Sequence, residues 1–182
     1  MKANYHTHTW RCNHAEANER AYVETAIEGG TKILGFSDHT PYFFPGDYYS
    51  TFRMRPEDYE GYVTTVLDLR KEYADDITIL LGLAVEYYPK FFPTLQEFLR
   101  DFPLDYMILG QHFIRNEIDA SYSGSPTISQ KQLSVYLDQV IESMRTGFFT
   151  YLAHPDLLDY KGPKKVYQKE MRRLCQEAAA LD

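Results

Sequence analysis

The chain has 182 residues, 44% hydrophobic and 25% charged, with 19 Lys plus Arg against 26 Asp plus Glu, a formal charge of −7 and a pI near 5.4. This is an ordinary globular composition, long enough for one self-supporting core, and its acidic balance weighs against broad electrostatic capture of nucleic acid or anionic membrane. Apolar runs fall short of the roughly 18 residues a membrane helix needs, and the first residues carry no apolar signal core, so neither a span nor a cleaved secretion signal is expected.

Short apolar runs alternate with longer amphipathic ones along the chain. A first strand ends at His6-Thr7-His8, and a helix is expected from about Ala15 to Glu28, closed by Gly29 and Gly30. Lys32 to Ser37 reads as a buried strand. After a long aromatic loop, Pro56 with Glu57 and Asp58 starts a helix to about Tyr73. Ile77 to Val85 is the strongest buried strand, followed by a short helix near Thr94 to Arg100 and a strand from about Tyr106 to Leu109. Ser129 to Arg145 reads as helix, Phe148 to Leu152 as strand, and Lys164 onward as a last helix. This alternation predicts βα units around a parallel sheet or barrel in a single domain over residues 1–182. A complete βα barrel takes about 250 residues, so a barrel lacking its last part is expected; a small open sheet with a C-terminal helix is the alternative that length leaves open.

The six histidines are His6, His8, His14, His39, His112 and His154, and nearly all follow the end of an expected strand. Glu86 closes the Ile77–Val85 run in the same way. Strand ends of a parallel βα fold share one face, and that face holds the active site. Residues two apart in an extended segment point to the same side, so His6 and His8 can serve one ion while Thr7 turns away. Each residue also has an ordinary reading: a strand-end histidine as hydrogen-bonded scaffold, Glu86 as a salt-bridge acid, Asp38 and Asp156 as helix caps, His14 as a cap or an exposed residue. Those readings must account for six separate placements at once, and a metal site accounts for them together. Imidazole and carboxylate suit zinc, iron or manganese, and this many donors exceed the need of one ion. The two cysteines, Cys12 and Cys175, lie too far apart in sequence to form a disulfide framework and fit a reducing cytoplasm.

The stretches YHTHTWRCNHAE, GFSDHTP, GLAVEYYP, LGQHF and LAHPDLL, in that order, resemble the polymerase-and-histidinol-phosphatase (PHP) superfamily from residue 5 to about residue 160. Within it, Cys-x-His-Ala and Ser-Asp-His-Thr-Pro are most similar to the histidinol-phosphatases. The resemblance implies an α/β fold, a distorted TIM-like (β/α)7 PHP barrel incomplete here at the C-terminus, with a trinuclear metal site at the strand ends. It implies that His6, His8 and Glu86 hold one ion, that Glu86 bridges to a second held by His112 and His154, and that His14 and His39 hold a third. Two or three divalent ions (zinc, iron or manganese) are the expected cofactors. The family's closing Gly-x-Asp-x-His motif is not found in these residues, so the first and third sites are expected to be one protein ligand short.

The implied activity is metal-dependent hydrolysis of a phosphate monoester, with L-histidinol phosphate in histidine biosynthesis as the leading substrate. The alternatives are a PHP phosphoesterase for a sugar, nucleotide or phosphotyrosyl substrate, and a non-catalytic metal-binding domain. Arg115, and behind it Arg53 and Arg55, are candidates to grip phosphate through paired donors. Asp38 is a candidate to orient His39 or its neighbours. The loop carrying Tyr42, Phe43, Phe44, Tyr48, Tyr49 and Phe52 is expected to cover substrate, or else to pack on the barrel rim or a partner subunit. The expected partner is a small phosphorylated molecule, with no nucleic acid and no membrane; a homo-oligomer is left open, and the expected location is the cytoplasm.

Overall fold

A computed structural model describes residues 2–118 and 122–181. In chain order its regular elements are β1 (Ala3–Asn4), α1 (Glu19–Glu28), β2 (Ile33–Phe36), α2 (Pro56–Glu72), β3 (Thr78–Val85), α3 (Phe92–Leu99), β4 (Tyr106–Leu109), α4 (Gln130–Arg145), β5 (Tyr151–Leu152) and α5 (Lys164–Ala179), with a short 3-10 turn at Trp10–Cys12. Strand and helix alternate as the sequence predicts. The chain forms two compact units, Met1–Val85 with Phe91–Ile108, and Glu86–Lys90 with Leu109–Asp182. Among the described residues, no helix is long and apolar enough to cross a membrane.

The first unit is built on parallel strands. β1 runs beside β2 with Ala3 opposite Ile33, and β2 beside β3 with Ile33 opposite Thr78 through Phe36 opposite Leu81. Asp105 N–H donates to Leu81 O at 2.8 Å, which brings the start of β4 alongside β3. β3 is buried almost throughout, from Ile79 to Val85, because a parallel strand covered on both faces reads as an unbroken apolar run. α2 starts where Pro56 presets the backbone and sacrifices no hydrogen bond; Glu57 and Asp58 in its first turn and Arg70 and Lys71 in its last match the helix dipole. Gly35 and Gly82 leave the space that the Tyr106 ring fills, and the Tyr106 hydroxyl, at 2.8 Å from Tyr5 O and 3.0 Å from Phe36 O, donates to the ends of two strand segments.

In the second unit, Ala153 N–H donates to Leu109 O at 2.8 Å beside β5. α4 buries Leu133, Tyr136, Leu137, Val140 and Ile141, spacings of three and four that form one apolar stripe. Ion pairs Arg173–Asp138 at 2.7 Å and Arg145–Glu177 at 2.5 Å join α4 to α5.

Four expected boundaries move. β1 stops at Asn4, before His6, so the first two histidines sit on an extended segment past the strand. α1 begins at Glu19 instead of near Ala15, because residues 10–12 form the 3-10 turn and the Asn18 side chain caps the helix by accepting the Ala21 N–H at 3.0 Å. α3 begins at Phe92, two residues early, with Pro93 in its first turn. β5 is limited to Tyr151–Leu152: Gly147 turns the chain at φ 73° and leaves Phe148 exposed.

Candidate metal centre

In the first unit the backbone past β1 is tied to the backbone past β2. Ser37 N–H donates to Thr7 O at 2.9 Å, Thr7 N–H donates to Ser37 Oγ at 3.0 Å, and the buried Asp38 accepts the Thr9 N–H at 2.5 Å and the Thr9 hydroxyl at 2.6 Å. His39 continues the parallel ladder, pairing with Ala84 of β3, and Ala84 N–H donates to Asp38 O at 3.0 Å. Two strand ends are thereby locked together, and four imidazoles come with them. Ring centres are 5.0 Å apart for His6 and His8, 4.6 Å for His8 and His39, 4.7 Å for His14 and His39, and 5.3 Å for His8 and His14. A cleft of about 430 Å³ opens beside His6 and His8.

The nitrogens show what this cluster can hold. His6 Nε2 and His8 Nε2 are 3.1 Å apart. Two nitrogens each about 2.1 Å from one tetrahedral or octahedral ion stand about 3.0–3.4 Å apart, so the pair has the spacing of one edge of a coordination shell. On its other side His8 Nδ1 lies 3.5 Å from Cys12 Sγ, which in turn lies 3.1 Å from Asp38 Oδ1. The donor atoms of His8, Cys12 and Asp38 all fall within 4.8 Å of one another. Asp38 accepts from both Thr9 donors and from the thiol, so its place is behind the imidazoles, fixing the loop that carries them; the Asp38 contacts run to Thr9 and Cys12.

Burial, opposed by hydrogen bonds from Thr9 and Cys12, pushes the Asp38 carboxyl above the usual carboxylate range. Burial and the neighbouring Asp38 push the Cys12 thiol up to about 12. Thiolate is the reactive form, so iodoacetamide at neutral pH is expected to modify one thiol of the folded chain, the exposed Cys175, and to reach Cys12 only after denaturation. Mass spectrometry of the labelled peptides checks this; rapid labelling of Cys12 in the folded state would contradict it.

In the second unit Glu86 directly follows the end of β3, His112 follows β4 and His154 follows β5. The buried Glu86 has Oε1 2.6 Å from His112 Nδ1, and the His112 and His154 ring centres are 4.9 Å apart. Gly110 permits this approach: a Cβ there would stand 3.2 Å from His112 Cε1 and 3.4 Å from His154 Cε1. His154 has φ 33° immediately before Pro155, where extended backbone is favoured, and strain of this kind collects at functional sites. One carboxylate and two imidazoles on three separate strand ends are a hard-to-borderline donor set suited to a divalent ion.

The arginines are placed differently from one another. Arg53 is 1% exposed; its Nη1 donates to Thr40 O at 3.2 Å and its guanidinium lies over the Tyr42 and Phe52 rings. Arg55 lies 3.9 Å over the Tyr49 ring. Arg115 belongs to the loop after His112 and beside a cleft of about 350 Å³ that Lys90 and Asn116 also line. Phe52 sets its edge against His39 at 5.2 Å, while Phe44 packs on Phe91 and Phe43 on Phe98, so the aromatic loop rests on its own unit. Sequence reading did not single out Thr9, Gln111 or Gln139. Polar residues inside an apolar motif (Gln111) or on the flank of an apolar helix stripe (Gln139) were the available signals.

Parallel strands whose ends present imidazole and carboxylate donors define an α/β protein of the metal-site class. The chain belongs to the PHP domain family, whose model matches residues 4–181. It is 29% identical over 170 residues to a probable histidinol-phosphatase of Deinococcus radiodurans, covering 88% of this chain and 60% of that protein. It is 32% identical over 128 residues to the histidinol-phosphatase of Bacillus subtilis, covering 67% of this chain and 47% of that protein. The chain spans about half the length of the curated relatives it matches. Its fold matches that of a histidinol phosphate phosphatase from Lactococcus lactis subsp. lactis, crystallised with zinc, L-histidinol and phosphate, with a TM-score of 0.75 and 22% identity, covering 99% of this chain and 68% of that one.

Proposed function

We propose that this chain carries the metal-dependent phosphomonoesterase chemistry of a histidinol-phosphatase, releasing phosphate from L-histidinol phosphate in cytoplasmic histidine biosynthesis. The observation that carries the reading is the gathering of His6, His8 and His39 past adjoining strand ends, with His14 from the loop after the 3-10 turn, in one unit, and of Glu86, His112 and His154 in the other. The family match over residues 4–181 supports it, as does the Lactococcus lactis structure, which was crystallised with zinc and both products of that hydrolysis. Both units are read as parts of one PHP domain.

His6, His8, His14 and His39 would hold divalent cations in the first unit, and Glu86, His112 and His154 in the second, two or three ions in all, with zinc, iron or manganese as the metals. When bound, such ions make a water nucleophile available near neutral pH and offset charge on the phosphoryl oxygens. The protein residues fix the donors: Asp38 holds the Thr9 N–H and hydroxyl and the Cys12 thiol behind His8, and Gly110 clears the space into which His112 and His154 turn. Arg115 is the arginine we assign to the phosphate, through two parallel N–H donors.

Phosphate release from a panel of monoesters, assayed with zinc or manganese present, tests the substrate. Histidinol phosphate is expected to give the highest kcat/KM, above sugar phosphates, nucleotides and phosphotyrosine. If it ranks among the poorest while another ester is turned over well, the chain is a PHP phosphoesterase of different specificity and the substrate assignment fails.

A further inference from the structure

Two buried glutamines that the proposed chemistry does not use bracket Glu86 and His112. Gln111 accepts the Tyr87 N–H on Oε1 at 2.9 Å and donates from Nε2 to Phe113 O at 2.7 Å. Gln139, on the buried flank of α4, donates from Nε2 to Tyr87 O at 2.6 Å and to Arg115 O at 3.3 Å, and accepts the Arg115 N–H on Oε1 at 2.6 Å. Tyr87 follows Glu86 directly, so the residue after the carboxylate has both backbone polar groups taken by carboxamides. The other ends of the same two carboxamides take the backbone one and three residues beyond His112. Arg115 has φ 69°, the left-handed region, and Gln139 grips it at both N–H and C=O, which holds a conformation that a residue with a Cβ rarely adopts.

We propose that Gln139 and Gln111 are positioning residues that cross-link the Glu86 and His112 loops and thereby set the affinity of the cation held by Glu86, His112 and His154. The inference rests on the metal reading above. A carboxamide suits the task because one planar, uncharged group offers both an acceptor and donors, so it can join two backbone segments without bringing charge beside the ligands. Residues that hold metal ligands from behind typically change metal affinity by about 10–100-fold when removed.

Cobalt(II) titration of the metal-free chain, followed by visible absorbance and a count of bound metal, tests this on the parent, Gln139→Met, Gln111→Met and His112→Ala. Thermal melting of the cobalt-free proteins runs alongside. Gln139→Met is expected to weaken one cobalt site about 10–100-fold and to leave the rest at parental affinity. A role in stability alone lowers the melting temperature and leaves every cobalt affinity at the parental value, and that result overturns the inference. If Gln139→Met does not fold, Gln111→Met is judged by the same criterion; if neither folds, the pair supports the fold as a whole and the inference is overturned. Parental cobalt binding in His112→Ala would instead sink the metal reading itself, so the two failures are distinguishable.

Discussion

Replacing His112 with alanine, or Glu86 with glutamine, is expected to remove bound metal and to lower phosphate release about a hundredfold or more, whereas Arg115→Ala leaves metal content at the parental value. The asymmetry follows from what each side chain touches. Glu86 is buried with an oxygen 2.6 Å from His112 Nδ1, and His112 shares its surroundings with His154 at a ring separation of 4.9 Å. His112→Ala leaves one imidazole with the buried carboxylate, Glu86→Gln leaves two imidazoles with a neutral carboxamide, and either remnant of the proposed donor set has little affinity for a divalent ion. Arg115 contributes its backbone to the loop, and that survives truncation of the side chain; only the proposed grip on phosphate is lost. Elemental analysis of the three variants, with phosphate release measured on the same samples, checks this. Equal metal contents in the parent and both ligand variants would contradict it.

Gly82→Ala is expected to destabilise the fold by about 3 kcal/mol, a fall in melting temperature of about 6–12 °C for a chain of this size. A Cβ at position 82 would meet Cε1 and Cζ of Tyr106 at 2.4 Å, and the displaced ring has buried strands around it. The cost reaches the proposed ligands as well. The Tyr106 hydroxyl donates to the Tyr5 and Phe36 carbonyls, one residue before His6 and three before His39, so a displaced ring loosens both histidine-bearing segments. Gly46→Ala is the control, because a Cβ there meets nothing within 4 Å and only the positive φ of 69° is unfavourable. A melting temperature for Gly82→Ala equal to that of the Gly46→Ala variant would contradict the account.

The parts of the fold legible in the sequence are those fixed by local periodicity. β3 was readable because an apolar run this short, bounded by polar residues, suits a doubly covered strand better than a helix, and α4 because Leu133, Tyr136, Leu137, Val140 and Ile141 repeat at three and four. The strand-end histidines were legible because imidazole and carboxylate are common metal donors, and those residue types stand out in a sequence. Boundaries set by a single capping contact were not: Asn18 delays α1, and Gly147 shortens β5. Nor were contacts to distant backbone: Asp38 stood out as an acid beside His39, while its partner Thr9 did not, and Gln139 did not stand out at all. Gln139 binds the carbonyl of Tyr87 across 52 positions, and Asp38 binds Thr9 across 29; neither contact leaves a periodic trace, since its partner is a main-chain atom that any residue could supply. Arg53 shows the same limit from the other side. Its sequence position suited a phosphate contact, while its guanidinium is buried over Tyr42 and Phe52 and donates to Thr40 O.

The most direct measurement is anomalous diffraction at the zinc edge from crystals of this chain grown with zinc. Discrete peaks are expected within ligand distance of His6 and His8 and of His112 and His154. Zinc-replete crystals in which both ring clusters lack an anomalous peak would contradict this.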